Sequence, residues 1–193
     1  AGQQPFVAGP LLNIFNTEAL AWMAQLGASR WVMPVEMHHR SLAALLAAKP
    51  KGLQTEVFAY GRLPLAFSAR CFTARHYNRP KDSCGFSCID HPDGQLLSTR
   101  EGEPFLVLNG IQTQSARVFN LVNEMHQIQA LGVDVVRLSP QAHQMDQVVA
   151  AFDAARRADP PNPGALEQMC ALMPAAPCNG YWHGQPGLEL AGR

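Results

Sequence analysis

The sequence lacks a surplus of either charge, because its fifteen basic and fifteen acidic residues cancel. Nucleic-acid-binding domains and proteins that dock on anionic membranes usually carry a basic excess, so both classes are disfavoured. No apolar run approaches the ~20 residues that a membrane span needs. Residues 1–16 also lack the charged start of a signal peptide. With 47% hydrophobic residues, the chain is predicted to be a cytoplasmic protein with a packed core.

The usual hydrolase motifs are also missing. The chain has no GxSxG nucleophile elbow and no HExxH zinc motif. The HPD at 91–93 and the scattered serines form no recognisable triad. A dyad of Cys71 and His76 is conceivable, but a spacing of five residues in a loop predicts no geometry. A peptidase-like hydrolase therefore stays only as an alternative.

The sequence has five cysteines, an odd number that does not suit a complete disulfide set, and the chain is too long for a small disulfide-stapled scaffold. Cys170 lies in the apolar stretch ALEQMCALM and is predicted to be a buried structural thiol. Three of the cysteines, at 71, 84 and 88, fall within eighteen residues. Clustered thiols in a reducing compartment more often bind metal or perform redox chemistry than form disulfides.

The cysteine loop, CFTARHYNRPKDSCGFSC, contains Cys71, Cys84 and Cys88 with twelve and three intervening residues. Pro80 and Gly85 favour the irregular backbone that lets several thiolates converge on one centre, and the neighbouring cations, which are Arg75, Arg79 and Lys81, would offset their charge. An iron–sulfur cluster is favoured. A Cys₃His zinc site completed by His76 or His91, serving a non-catalytic partner-binding domain, and three incidental surface thiols remain open.

Strand and helix patterns alternate along the chain, which predicts an α/β fold. Strands are predicted at 6–15, 30–36, 55–61 and 133–139, and helices at 17–26, 41–49, 115–131 and 143–157. Strand starts roughly 25 residues apart have the rhythm of a (β/α)-barrel-like (TIM-like) fold. The irregular Cys-rich loop (70–94) and a hairpin (95–110) interrupt it. Four such units make half a barrel, so either an N-terminal part is missing or the fold is an open α/β sheet.

We predict two regions, a domain at 1–165 and a tail at 166–193 that packs on it. In a barrel the carboxyl ends of the strands carry the active site. Weak catalytic candidates at such ends are Glu36, which precedes His38 and His39, then Tyr60 with Arg62, and Asn109 with Gln112. Helix caps and turn chemistry explain these residues about equally well.

The cysteine loop and its flanks are familiar. SARCFTARHYNRPKDSCGFSC, preceded by VFAYGRLPLAFSARC and followed by FLVLNGIQTQS, resembles the UbiV-type ubiquinone-biosynthesis proteins of the bacterial collagenase-like peptidase family. The stretches VDVVRLSPQ and CNGYWHGQPGLEL are similar as well. The resemblance extends over essentially the whole chain and implies a barrel-like fold.

The resemblance implies a [4Fe–4S] cluster held by four cysteines, three of which match Cys71, Cys84 and Cys88. The fourth belongs to a segment that precedes this chain in the family pattern. We therefore expect a fragment without a complete cluster unless Cys178, His76, water or another chain substitutes. The implied role is oxygen-independent hydroxylation of ubiquinone precursors in a bacterial cytoplasm. A UbiU-like partner in a heterodimer, a lipid-carrier accessory protein, and prephenate as oxygen donor are implied too.

Overall fold

The computed structural model describes residues 4–192, with the side chain of Lys81 left out. This part of the chain has a mixed α/β fold, in which one open sheet of eight strands is combined with six α-helices. The strands β1 to β8 are, in order, Phe6–Ala8, Ala28–Val32, Gln54–Phe67, Gln95–Ser98, Pro104–Asn109, Gln112–Asn120, Val135–Leu138 and Pro177–Cys178. The helices α1 to α6 are Thr17–Gln25, His39–Ala47, Phe72–His76, Met125–Ala130, Met145–Arg157 and Ala165–Met169.

Four strands form a parallel sheet in the order β1, β2, β3, β7. Glu56 of β3 is in register with both Val32 of β2 and Val135 of β7. A strand has only two edges, so β2 and β7 must lie on opposite sides of β3. Since all four strands point the same way, their carboxyl ends meet at one edge of the sheet, where α/β proteins usually bind ligands.

Beyond Tyr60, β3 leaves the parallel sheet and continues into an antiparallel arm. There β3 pairs with β6, β6 with β5, and β5 with β4. Pro64 lies within β3, at a position where the register with β6 shifts. A proline cannot donate to a β-ladder, and such irregularities are where strands tolerate it. The fourteen residues of β3 thus join the parallel and the antiparallel parts of one sheet.

The helices begin where local chemistry predicts. The Asn16 side chain accepts a hydrogen bond from the backbone N–H of Ala19 at 2.8 Å, which caps α1. The His38 ring caps α2 by accepting from the backbone N–H of Ser41 at 3.3 Å. The helices predicted at 17–26, 41–49 and 143–157 are confirmed with slightly shifted ends.

One core holds the elements together. It contains fully buried side chains from β2, β3, α2 and the tail, among them Trp31, Leu42, Tyr60 and Trp182. The tail contributes through β8, which pairs with β6, and through Trp182, whose indole N–H donates to Gln127 Oε1 at 2.8 Å. Residues 166–192 therefore share the core of the preceding residues.

The prediction of a helix at 115–131 is wrong, because residues 112–120 form β6 and only Met125–Ala130 is helical. Val118 and Phe119 are adjacent and both belong to the buried core, so both faces of β6 are covered at this point. A run buried on both faces has no alternation, so periodicity cannot separate it from a buried helix. The strand predicted at 6–15 is also too long and ends at Ala8.

The Cys-rich loop at 70–94 is more ordered than predicted. It contains α3 and two 3₁₀ turns, at Lys81–Ser83 and Ser87–Asp90. The hairpin at 95–110 is present as β4 and β5. Among residues 4–192 the sheet is open, with no barrel closure. No helix in that range is both long and apolar enough to cross a membrane.

Candidate functional site

A groove runs along the carboxyl ends of the four parallel strands. Its volume is about 370 Å³, within the usual range for small-molecule sites. Each of the four strands contributes a residue at or shortly after the end of its parallel pairing, namely Leu11, Met33, Arg62 and Leu138. The lining is mostly apolar. The groove therefore occupies the position at which the sequence predicted a site, although the candidates in it are only partly those expected.

A smaller polar cavity of about 50 Å³ adjoins this groove. The two share Arg62, Gln114, Ser139 and Pro140. Three of the predicted candidates, which are Tyr60, Arg62 and Asn109, line the polar cavity together with Asp93 and Gln141. Its size suits one to a few water molecules. Polar residues of β3, of the end of β5 and of the end of the Cys-rich loop therefore line one polar cavity beside the apolar groove.

Tyr60 is fully buried, and its ring packs edge-on against Phe152 of α5 at 5.8 Å. Its hydroxyl donates to Gln141 Oε1 at 2.5 Å. Burial, and secondarily the negative charge of Asp93, raises the pKa of Tyr60 to about 12. The phenol is therefore a neutral hydrogen-bond donor at ordinary pH rather than a base.

Arg62 donates from Nη1 to the backbone carbonyls of Ser115 and Ala116, at 3.0 and 2.5 Å. Burial lowers the pKa of Arg62, and the nearby carboxylate of Asp93 opposes that shift. A guanidinium stays protonated in proteins, so Arg62 is a fixed positive charge between the groove and the polar cavity. Asp93 is itself held by accepting the backbone N–H of Ala142 at 2.9 Å.

The shifted phenol gives a testable pH dependence. Because the pKa of Tyr60 rises from 10.0 to about 12 on folding, its contribution to stability is complete below pH 10 and falls as the pH rises towards 12. We expect the Tyr60→Phe variant to lose that decline. Tyrosinate absorbance, followed during alkaline titration, should also lose its component near pH 12. Identical late titration in both proteins, scaled for tyrosine content, would contradict this assignment.

Glu36 lies elsewhere. Strand β2 ends at Val32, so Glu36 falls in the following turn, where it is exposed and lines neither cavity. Its neighbours are structural: His38 caps α2, and His39 Nδ1 lies 2.7 Å from the carbonyl oxygen of Trp182. Only Met33 and Val35 of the MPVEMHH segment line the groove. Gln112, by contrast, lines the groove.

The three loop cysteines are half-exposed and unpaired by disulfides. Cys71 caps α3, because its Sγ accepts the backbone N–H of Ala74 at 3.5 Å. Cys84 follows the first 3₁₀ turn and Cys88 lies in the second. Between residues 4 and 192, no three His, Cys, Asp or Glu side chains are grouped closely enough to hold a metal. The loop brings the thiols into one region without joining them at one centre.

Arg79 ties the loop together. Its Nη1 donates to the Cys84 carbonyl at 3.0 Å and to Ser87 Oγ at 2.9 Å. Gly85 has a φ of +62°, and a Cβ there would lie 2.9 Å from Arg79 Nη1. Glycine adopts this left-handed conformation without strain, and Phe86 beside it also has a positive φ, of 53°. The predicted role of Lys81 concerns a side chain outside the described part of the chain.

The proposed substitute ligands differ in their surroundings. Cys178 is buried in β8, where it pairs with Phe119 of β6. Phe119 lies roughly seven residues, or ~23 Å, along β6 from the start of that strand. The Cys-rich loop meets the chain near that start, where the backbone N–H of Phe72 donates to the carbonyl of Gly110. Burial raises the pKa of Cys178 to about 12, which disfavours the thiolate. The ring of exposed His76 packs on Tyr77 at 5.0 Å. His91 Nε2 lies 2.6 Å from the Tyr77 hydroxyl.

Sequence reasoning missed an ion-pair network on β2, β3 and β7. Glu56 is 3% exposed, and its carboxylate accepts from Arg30 Nη1 at 3.2 Å and from Arg137 Nε at 2.5 Å. Buried charges are normally paired, so the glutamate inside the apolar strand TEVFAYG could have indicated a buried ion pair. Asp93 and Gln141 were missed because neither lies at a predicted strand end.

The comparisons with known proteins fit this geometry only at the level of the family. No solved structure matches the chain. The model of the peptidase family U32 matches residues 3–190, which includes the parallel strands, the cysteine loop and the tail. A match of this length shows that the chain belongs to peptidase family U32.

Proposed function

We propose that this chain is a UbiV-type member of its family, an iron–sulfur protein that takes part in oxygen-independent hydroxylation of ubiquinone precursors in the bacterial cytoplasm. One observation carries the proposal: Cys71, Cys84 and Cys88 lie, half-exposed, on one loop whose far end, Asp93, reaches the polar cavity beside the groove. The thiols and the candidate substrate groove are thus parts of one unit.

The donor set suits a [4Fe–4S] cluster in chemistry. Three thiols, an N–H···S hydrogen bond at Cys71 and the guanidinium of Arg79 within the loop resemble the surroundings that such clusters use. As described, the thiols do not converge, so binding requires the two 3₁₀ turns to move and a fourth ligand to join. A bound cluster supplies one-electron transfer.

The chain's own residues have separate roles in this proposal. Tyr60 presents a neutral phenol and Arg62 a fixed cation at the polar cavity. Apolar groove residues, such as Met33, Phe58 and Leu138, exclude water from an aromatic ligand. A UbiU-like protein as heterodimer partner, a lipid-carrier accessory protein and prephenate as oxygen donor complete the proposed system.

We also propose that the parallel strands belong to a (β/α)-barrel-like fold. Their order β1, β2, β3, β7 and the helices between successive strands are the arrangement that a barrel repeats. The groove at their carboxyl ends is in the position of a barrel active site.

The test is metal content after anaerobic purification of the protein in its natural length. Serine substitutions at Cys71, Cys84 and Cys88 should each remove most of the iron, the acid-labile sulfide and the visible absorbance. Cys170→Ser is the matched control. The prediction that Cys170 is a buried thiol is wrong, because Cys170 is exposed on the turn after α6, where it donates to the Leu166 carbonyl. Unchanged iron in the three loop variants would refute the proposal.

Two other outcomes identify the alternatives. Stoichiometric zinc without iron would make the loop a structural staple for a partner-binding domain. Cleavage of an unstructured protein substrate that persists after loss of Cys84 and Cys88 would indicate a hydrolase, as the name of the family suggests.

A further inference from the structure

The groove at the strand ends has an unbalanced charge. Two guanidiniums, from Arg62 and Arg137, line it, and no aspartate or glutamate does so among the described residues. Most of the remaining lining is apolar. A site of this kind suits a ligand with an apolar body and a negative charge, since few polar groups in a hydrophobic cavity usually fix a ligand's orientation.

Arg137 is the cation that remains available. Its Nε bonds Glu56, while its side chain is 46% exposed. Within residues 4–192, no hydrogen bond uses its Nη1 or Nη2. Glu56 is already neutralised from its other side by Arg30, which also uses Nε and Nη2 on Gln54 at 3.1 and 3.0 Å. The network of Arg30, Glu56 and Arg137 therefore has a net positive charge, and Arg137 is the member that lines the groove.

Glu56 also makes Arg137 rigid. A buried carboxylate that bonds Nε fixes the plane of the guanidinium and so aims the remaining N–H groups. Long exposed arginines normally lose rotamer freedom when they bind a ligand. Here Glu56 has already limited that freedom in the free protein, so an anion meets an oriented fork.

We infer that the groove binds an organic carboxylate with an apolar, ring-sized body, and that Arg137 anchors the carboxylate. The inference rests on the proposed function only for the identity of the natural ligand. The evidence for the site is the set of residues that line the groove and the ion pairs of Glu56. Arg62 supports the anion from the side of the polar cavity.

A carboxylate is favoured over a phosphate by the backbone around the groove. Phosphate sites usually add several N–H groups from a glycine-rich turn or a helix N-terminus. Here Pro10, Pro34 and Pro140 follow β1, β2 and β7, and proline has no N–H to donate. One guanidinium fork without a backbone cradle matches the two oxygens of a carboxylate.

The test uses 3-phenylpropionate as the probe, its uncharged amide as the charge control and inorganic phosphate as the competitor, with binding measured by calorimetry. We expect the amide to bind at least about tenfold more weakly than the acid. Arg137→Gln should weaken binding of the acid by at least about tenfold, and Arg137→Lys by less. Arg40→Gln, which removes an exposed arginine outside the groove, should leave binding unchanged.

Several results would overturn the inference: no binding to the unmodified protein, equal binding of acid and amide, or full binding by a folded Arg137→Gln protein. Displacement of the probe by phosphate at equal concentration would overturn the choice of carboxylate. Arg137→Lys keeps a cation beside Glu56, so the binding of the acid can still be measured on that variant if Arg137→Gln unfolds. The iron and acid-labile sulfide content of Arg137→Gln should equal that of the unmodified protein, so a failure of this inference is distinguishable from a failure of the iron–sulfur proposal.

Discussion

Replacing Trp182 with alanine is expected to lower the free energy of unfolding by about 3–5 kcal/mol. The side chain is fully buried, and its indole N–H donates to Gln127 of α4 at 2.8 Å. Its ring lies 5.8 Å from that of His39 at the start of α2. Truncation therefore leaves a cavity between the tail and two helices, with Gln127 losing its partner.

Urea unfolding of the variant and of Trp22→Ala would check this value. Trp22 belongs to α1 and is 58% exposed, so its loss should cost less than about 1 kcal/mol. Trp182→Phe keeps an aromatic ring without the N–H and should fall between the two. Equal costs at Trp182 and Trp22 would contradict the assignment of the tail to the core.

Replacing Gly61 with alanine should cost roughly 3 kcal/mol. Gly61 has a φ of +121°, and a Cβ there would lie 2.5 Å from Ser139 Cβ. Backbone strain of this kind is worth about 1–3 kcal/mol, and overpacking typically adds about 1–3 kcal/mol. Because Gly61 and Ser139 both line the polar cavity, the change should also disturb the candidate site.

Gly9→Ala is the matched control. Gly9 has a φ of −71° and open space where a Cβ would lie, so alanine should be neutral or slightly stabilising. The double variant Gly61→Ala/Ser139→Gly removes the clashing Cβ and should recover part of the loss, as an interaction between the two positions in a thermodynamic cycle. Full additivity of the two substitutions would show that the contact is not the cause.

The sequence predicted elements whose determinants are local. Asn16 caps α1 because a short polar side chain reaches the N–H of the first turn, and the alternation of strands and helices predicted the α/β fold. It failed at β6, whose helix prediction ignored burial on both faces. The partners of β6 in the sheet, β3 and β8, lie far away along the chain, so no local pattern could indicate that environment.

The candidate site divides in the same way. Tyr60, Arg62 and Asn109 were chosen as strand-end residues, and the structure brings them to one cavity. Glu36 was chosen by the same rule, but β2 stops four residues earlier. The ion pairs of Glu56 link three strands whose pairing no local pattern specifies. The sequence could indicate that Glu56 is paired, but not which residues pair with it, because the partners depend on long-range strand pairing.

The length of β3 limits how this chain tolerates insertions. Side chains alternate along a strand, so adding or removing one residue exchanges every subsequent side chain between the two faces. Because β3 pairs in parallel at one end and antiparallel at the other, such a change would invert the arm relative to the sheet and carry the cysteine loop with it. Length variation among relatives should therefore be confined to connections, such as the turn at 99–103, while the span from Gln54 to Phe67 keeps a constant length.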